Sequence, residues 1–136
     1  MASVDYLKSL SFARPDRIGV VGFCFGGGQV WNLAVGRSDL AAAVPFYGTP
    51  PATADLLDRV AVPVLAIYAE TDRALTARMA PVITGMLDRR KSFGFHIYDG
   101  VGHAFHNDTG AAYNRTAACD AWNRTLAFFD KHLHRA

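Results

Sequence analysis

Residues 18–28, IGVVGFCFGGG, constrain the fold of this chain more than any other stretch. Their apolar, β-branched beginning is typical of a buried parallel strand, and the residues that follow can form a helix. Cys24 lies at the joint, with Gly22 two residues before it and Gly26 and Gly27 after it. This G-x-C-x-G-G spacing matches the nucleophile elbow, a sharp strand-to-helix turn, with cysteine in place of serine. We expect a side chain at the flanking glycines to collide with the neighbouring strand or helix.

The glycine cluster has three other interpretations. A dinucleotide-binding loop requires G-x-G-x-x-G, but Cys24 occupies the middle position, where a side chain blocks close approach to a pyrophosphate. A Walker loop requires a Lys-Ser/Thr ending, which is absent here. In the third interpretation Cys24 is a small, buried, apolar residue of an ordinary tight turn, as free cysteines often are. The first two are disfavoured, and the third stays open at this point.

Length and composition predict a single globular domain over residues 1–136. At 136 residues the chain is long enough to bury roughly two-thirds of its surface on folding. Hydrophobic residues make up 51% of the chain and charged residues 19%, which is ordinary for a globular core. The net charge of +2 comes from scattered Lys and Arg, which argues against nucleic-acid binding. We expect no membrane span and no signal peptide, because apolar runs are short and the N-terminus is polar. The two cysteines suggest free thiols in a reducing, cytoplasmic compartment.

Segments with strand and helix patterns alternate along the chain. Strands are predicted at the beginning of the 18–28 stretch and over residues 40–47, 62–69 and 92–98. Helices are predicted over residues 3–10, 28–35, 54–60, 73–90 and 111–133, with Pro81 marking either a start or a kink in the fourth. The apolar stripe of the last helix is predicted as Tyr113, Ala117, Ala121, Trp122, Leu126, Phe129 and Leu133. This order predicts an α/β fold with a mainly parallel four-stranded sheet and flanking helices.

Three residues with complementary chemistry each follow a predicted strand: Cys24, Asp72 and His103. Ligands of open α/β sheets bind beyond the carboxyl ends of the strands, and the order nucleophile, acid, histidine is that of α/β-hydrolase triads. Alone, Asp72 would be explained as a helix N-cap and His103 as a turn histidine. Their coincidence at successive strand ends favours a catalytic triad.

The proposed chemistry explains these residue types. A free thiol has a pKa of about 8.5, so Cys24 needs a helix N-terminus and a nearby imidazole to become a thiolate near neutral pH. Asp72 would hold the His103 ring in the useful tautomer and support its positive charge. The backbone N–H of Phe25, the residue after the nucleophile, would donate one hydrogen bond to the oxyanion.

We expect the remaining polar residues to have structural roles. His96, His106, His132 and His134 share no metal-ligand spacing, so no metal site is expected. Cys119 is expected to pack inside the last helix layer, and Asp108 or Thr109 to cap that helix. Residues 106–108 follow His103 closely and are candidates for lining the pocket.

At this point the sequence resembles the dienelactone hydrolase family of α/β-hydrolases. The resemblance rests on GFCFGGG (22–28), YAETD (68–72), GHAFHND (102–108) and AWNRTLAFF (121–129). It implies a triad of Cys24, His103 and Asp72 that hydrolyses small enol-lactones and related esters without a cofactor. Family members are considerably longer, and this chain resembles their C-terminal half. The loop that completes the oxyanion hole and the arginine that binds the substrate carboxylate are absent, and Ala104 replaces a serine, so we expect a different substrate.

The same resemblance predicts self-association. In the family, the strand before the elbow has neighbours on both sides, whereas here one neighbour would be missing. A free apolar edge at residues 18–21 would pair with another copy or with a missing N-terminal half. Two alternatives to an active hydrolase remain. The first is a weak or inactive hydrolase-derived module that self-associates. The second is a thiol redox sensor, which is disfavoured because no resolving cysteine lies near Cys24 in the sequence.

Overall fold

The structure, a computed structural model, describes residues 2–134. The elements follow in the order α1 (Ala2–Ser9), β1 (Gly19–Phe23), α2 (Phe25–Gly36), β2 (Ala42–Phe46), α3 (Ala54–Arg59), β3 (Val64–Ala69), α4 (Arg73–Thr76), α5 (Met79–Asp88), β4 (Phe93–Tyr98) and α6 (Arg115–Leu133). The strands form one sheet in the order β1-β2-β3-β4, and each neighbouring pair is parallel. The predicted α/β fold with a parallel four-stranded sheet is confirmed.

The sheet lies between two helical layers. Side chains of β3 alternate between the faces, as they must in a strand. Val64, Ala66 and Tyr68 enter the cluster formed with α2, α3 and α5, whereas Ile67 and Ala69 enter the cluster formed with α6. Burial on both faces explains why this strand reads as an uninterrupted apolar run.

Two helix predictions need correction. The predicted helix over residues 73–90 is two helices, α4 and α5, and Pro81 is the third residue of α5. Pro81 fits there because the first-turn N–H groups of a helix have no intrahelical partner to lose. Helix α2 begins at Phe25, directly after the nucleophile candidate and three residues earlier than predicted.

The last helix begins later than predicted, and its cap is a different residue. Asn114 precedes α6, and its side-chain oxygen accepts a hydrogen bond from the Ala117 N–H at 3.0 Å. The prediction that Asp108 or Thr109 caps this helix is therefore wrong. Thr109 instead donates its hydroxyl and its N–H to the Asn107 side chain, within the turns that precede α6.

The predicted apolar stripe of α6 is only partly correct. The helix packs on the sheet through small residues and one buried hydroxyl: Ala117, Ala118, Ala121 and Thr125. Trp122 and Leu126 remain 38% and 49% exposed, and Tyr113 lies before the helix. Cys119 is exposed, so its predicted packing role is wrong. The small residues occupy the face of α6 that contacts the sheet, together with Phe129, and Trp122 and Leu126 lie outside that face.

Strand β1 lies at the edge of the sheet, as predicted, and within residues 2–134 its one strand partner is β2. Phe129 of α6 covers its face so closely that a Cβ at Gly19 would lie 2.9 Å from that ring. At the end of the strand, Phe23 is 37% exposed. No helix among the described residues is both long and apolar enough to cross a membrane.

Candidate active site

Cys24 occupies a strained turn between β1 and α2. Its φ of 55° and ψ of −117° lie in a region that residues other than glycine rarely adopt. A Cβ at Gly22 would collide with the Gly26 carbonyl, and one at Gly27 with the Phe46 carbonyl, so both glycines are required as predicted. Gly26 differs, because a Cβ there would meet nothing within 4 Å. The prediction of a collision at Gly26 is wrong, since that position faces open space.

The turn brings the Cys24 thiol to the surface, against His103. The Cys24 Sγ lies 3.0 Å from Nε2 of the His103 ring, and the cysteine is exposed. The interpretation of Cys24 as a buried apolar residue is thereby excluded. His103 lies in the loop after β4, 79 residues further along the chain.

Asp72 completes a line of contacts on the other side of the imidazole. Its Oδ2 lies 2.6 Å from Nδ1 of His103, and in the Nδ1–H tautomer the ring donates to this carboxylate oxygen. Asp72 stands at the N-cap position of α4, but its side chain makes no capping hydrogen bond. The Asp72 side chain therefore contacts His103 and does not cap α4.

Hydrogen bonds join the loops that carry Asp72 and His103. The Thr71 N–H and hydroxyl both donate to the Val101 carbonyl, at 3.0 and 2.9 Å. One residue earlier, the Glu70 carboxylate accepts the Gly100 N–H at 2.8 Å. These bonds fix the end of β3 against the end of β4, and so fix the spacing of acid and imidazole.

A buried aromatic network supports the helix that follows the elbow. The Trp31 indole N–H of α2 donates to the Tyr68 hydroxyl at 3.0 Å, and that hydroxyl donates to the Gly48 carbonyl at 2.5 Å. Gly48 packs directly against Gly27 and Gly28, where a Cβ would collide with their backbone. These contacts hold strand β3, helix α2 and the loop after β2 together, next to the turn that carries Cys24.

Tyr47 is a site residue that the sequence reasoning missed. Its backbone has a φ of 33°, and its buried ring lies 4.9 Å from the His103 ring, centroid to centroid. Burial raises the pKa of its hydroxyl to about 12, so the group stays protonated near neutral pH. Its position directly after β2, at the same edge of the sheet as the triad candidates, is the signal that could have found it.

The site favours a charged pair between thiol and imidazole. The hydrogen bond from His103 is the main cause that lowers the pKa of Cys24, and burial opposes it; the Phe25 N–H lowers it further. Burial alone would lower the pKa of His103, but its hydrogen bonds to Cys24 and Asp72 outweigh burial and raise that pKa. Both shifts stabilise a thiolate beside an imidazolium.

Cavities adjoin Cys24 on the sides of α2 and of the His103 loop. The larger, about 670 Å³, is lined by Cys24, His103, Tyr47 and residues of α2, α3 and the 49–52 loop. The smaller, about 370 Å³, is lined in part by His106, Asn107 and Asp108, as predicted for residues 106–108. Across residues 2–134, no three side chains of His, Cys, Asp or Glu are grouped to hold a metal ion.

Two relatives of this chain match nearly all of it, and one of them carries a hydrolase name. It is 36% identical over 127 residues to the "Putative carboxymethylenebutenolidase" of Saccharolobus solfataricus, a match that covers 91% of this chain and 49% of the relative. It is 36% identical over 135 residues to "Protein usf" of Aquifex pyrophilus, covering 97% and 58% of the two chains. The chain thus spans about half to three-fifths of the length of these relatives.

Solved structures share the fold. A crystal structure of a "Putative Dienelactone Hydrolase" from Klebsiella pneumoniae superposes with a TM-score of 0.86 at 26% identity, over 96% of this chain and 60% of that one. The metagenomic dienelactone hydrolase-like phosphotriesterase P91 superposes with a TM-score of 0.88 at 22% identity, which supports the fold alone. The model of the dienelactone hydrolase family matches residues 1–133. Family model, relatives and fold agree, and the chain belongs to the dienelactone hydrolase family.

Proposed function

We propose that this chain carries the nucleophilic site of a hydrolase for small esters or lactones, with Cys24 as nucleophile, His103 as proton carrier and Asp72 as the acid that orients the ring. The observation that supports this most is the continuous line of contacts, 3.0 Å from Cys24 Sγ to His103 and 2.6 Å from His103 to Asp72. Family membership supports the reaction class.

Acylation begins from the thiolate–imidazolium pair. The Cys24 sulfur attacks the carbonyl carbon of the ester, a C–S bond forms, and the carbonyl electron pair moves onto oxygen. The Phe25 N–H, at the start of α2, donates a hydrogen bond to this oxyanion. When the oxyanion collapses, the C–O bond to the alcohol breaks. The leaving oxygen takes the proton from His103 Nε2, which leaves a thioester on Cys24 and a neutral imidazole.

Deacylation runs the proton transfer in reverse. The neutral His103 ring takes a proton from water, and the resulting hydroxide attacks the thioester carbonyl. Collapse breaks the C–S bond, releases the carboxylic acid and restores the thiolate beside the imidazolium. Asp72 accepts the hydrogen bond from Nδ1–H throughout and stabilises the ring whenever the ring is charged.

The test is turnover of p-nitrophenyl acetate. We expect release of p-nitrophenolate by the parent chain and loss of that activity in Cys24→Ala, while Cys119→Ala keeps the parental rate. Cys119 is the matched control because it is also an exposed free thiol, on α6. Equal activity of Cys24→Ala and parent would reject the proposal.

A second candidate function rests on the free edge of β1. We propose that residues 1–136 form one domain whose β1 edge pairs with a second copy or with further polypeptide of the kind that makes the relatives longer. Such a module would be catalytically weak alone, because loss of one oxyanion donor typically costs about 10²–10³ in rate. A dimer in light scattering, combined with no acyl-enzyme from ester probes, would favour this function. For its location we propose the cytoplasm, since both cysteines are free thiols.

A further inference from the structure

The smaller cavity beside Cys24 is lined by aromatic residues and by one acidic residue. Phe23, Tyr47 and His106 are its aromatic lining residues. Asp108 supplies a carboxylate, and none of the described residues that line this cavity is a lysine or an arginine. At about 370 Å³, the cavity has the size of a small-molecule site. It therefore combines aromatic surface with a single negative charge.

The Asp108 carboxylate has no cation of the chain against it. Several other carboxylates are paired with arginines, such as those of Asp39 and Asp58. Among the described residues, 2–134, no nitrogen of a Lys, Arg or His side chain lies within the 4.0 Å of an ion pair from Asp108. Asp108 is exposed, in the turns between His103 and α6. Its charge is therefore available to a ligand.

His106 does not supply the missing cation. Burial lowers the pKa of its imidazole, and its own backbone and the charge of Asp108 oppose this only in part. The ring lies against three other aromatic rings, with centroids 5.1 Å from Phe23, 5.3 Å from Phe46 and 5.8 Å from Trp122. Near neutral pH, His106 is therefore a further uncharged aromatic surface beside Asp108.

The position of the smaller cavity suits the alcohol part of an ester. The leaving oxygen takes its proton from His103, so the alcohol part begins at that ring. Residues 104 and 106–108, which follow His103 in the same loop, line the smaller cavity. The larger cavity extends instead along α2 and α3, and it contains the Arg59 guanidinium, which would repel a cation. A cationic alcohol part therefore has the smaller cavity as its favourable site.

We infer that the smaller cavity binds an alkylammonium group, so that esters of small amino alcohols, choline esters among them, are preferred substrates. This inference rests on the proposed function of Cys24. With a small acyl group on the Cys24 side, the ammonium group lies against the Phe23 ring and near the Asp108 carboxylate. Aromatic faces attract quaternary ammonium ions, and Phe23 is 37% exposed. When the ester C–O bond breaks, the choline oxygen takes the proton from His103 Nε2.

Two isosteric esters test the subsite. Acetylcholine and 3,3-dimethylbutyl acetate differ in a quaternary nitrogen against a quaternary carbon. The measured quantity is the ratio of kcat/KM for acetylcholine to that for the neutral ester, from acetate release followed by NMR. We expect Asp108→Asn to lower this ratio roughly threefold at low salt, as for one exposed ion pair, with the effect fading at about 1 M salt.

Asp99→Asn is the matched control, because it removes the same charge from an exposed turn directly after β4 that lines neither cavity. We expect it to keep the parental ratio. An equal ratio in parent and Asp108→Asn would overturn the subsite while leaving the hydrolase proposal intact. An equal fall in both variants would also overturn it, because net charge and not position would then be responsible.

A binding measurement decides the case independently of turnover. In the Cys24→Ala background, we expect Asp108→Asn to weaken choline binding roughly threefold by NMR titration and to leave binding of 3,3-dimethylbutanol unchanged. Loss of turnover for both esters combined with choline binding that depends on Asp108 would reject the hydrolase proposal and support the subsite. Equal choline binding with and without the Asp108 carboxylate would reject the subsite.

Discussion

The contact between Asp72 and His103 predicts a defined loss of activity in Asp72→Asn. The two side chains meet at 2.6 Å, and Asp72 is 16% exposed while His103 is 40% exposed. A hydrogen bond to a charged group contributes about 1.5–3 kcal/mol, and the exposure of His103 favours the lower end of this range. A loss of about 1.5 kcal/mol in the transition state lowers kcat/KM roughly tenfold. An asparagine amide that donates to Nδ1 would also impose the wrong tautomer and deepen the loss.

The pH profile separates this mechanism from a general loss of structure. Activity requires the Cys24 thiolate, so it appears above the lowered pKa of Cys24, and it requires the His103 proton, so it falls above the raised pKa of His103. Asp72→Asn removes one of the hydrogen bonds that raise the pKa of His103. We therefore expect the upper limb of the profile to move to lower pH.

The matched control is a second carboxylate–imidazole pair that lies outside the site. It joins Asp130 of α6 to His134, the residue after that helix, at 2.7 Å. Asp130→Asn breaks the same kind of contact and should keep the parental kcat/KM and pH profile. The assay is steady-state hydrolysis of p-nitrophenyl acetate over the pH range. A kcat/KM for Asp72→Asn within twofold of the parent, with an unshifted upper limb, would refute the role given to Asp72.

The remaining predictions concern stability and are measured by urea unfolding. Gly27→Ala should lower the free energy of unfolding by about 1–3 kcal/mol because its Cβ would strike backbone, whereas Gly26→Ala, in open space on the same helix, should leave it unchanged or raise it by up to about 1 kcal/mol. Equal effects at the two glycines would contradict this account of the elbow. Tyr68→Phe should cost about 1–3 kcal/mol, because the Trp31 N–H and the Gly48 carbonyl would be left buried without a partner. A cost below about 0.5 kcal/mol would show that the network contributes little.

The fold was largely predictable because its strongest signals are local. β3 is buried on both faces, so its sequence is an unbroken apolar run. Gly22 is required by a backbone contact within the elbow itself, and Gly27 by a backbone contact with Phe46 at the end of β2. Asp72 and His103 follow two neighbouring parallel strands, so the topology brings them to one edge of the sheet. Their contact at 2.6 Å depends further on the hydrogen bonds that join the two loops at Thr71 and Glu70.

The features that the sequence did not predict depend on how closely the helices and strands pack together. Small residues of α6 contact the sheet while Trp122 and Leu126 stay exposed, and helical periodicity cannot distinguish that small-residue face from a stripe of large residues. Asn114 caps α6 because the preceding turns end there. Tyr47 reaches the His103 ring only through a φ of 33° after β2, and no spacing rule anticipates such a conformation.

The central claim is that His103 and Asp72 turn Cys24 into a thiolate poised for attack, and the rate of its alkylation tests this most directly. Iodoacetamide modification of Cys24 and Cys119 is followed by peptide mass spectrometry as the pH is raised from about 5 to 9, a range that spans the ordinary thiol pKa. Because its pKa is lowered, Cys24 should react well below pH 8, and His103→Gln should move that reactivity to higher pH without changing the profile of Cys119. A Cys24 profile that coincides with that of Cys119 in the parent, or one that His103→Gln leaves in place, would contradict the account.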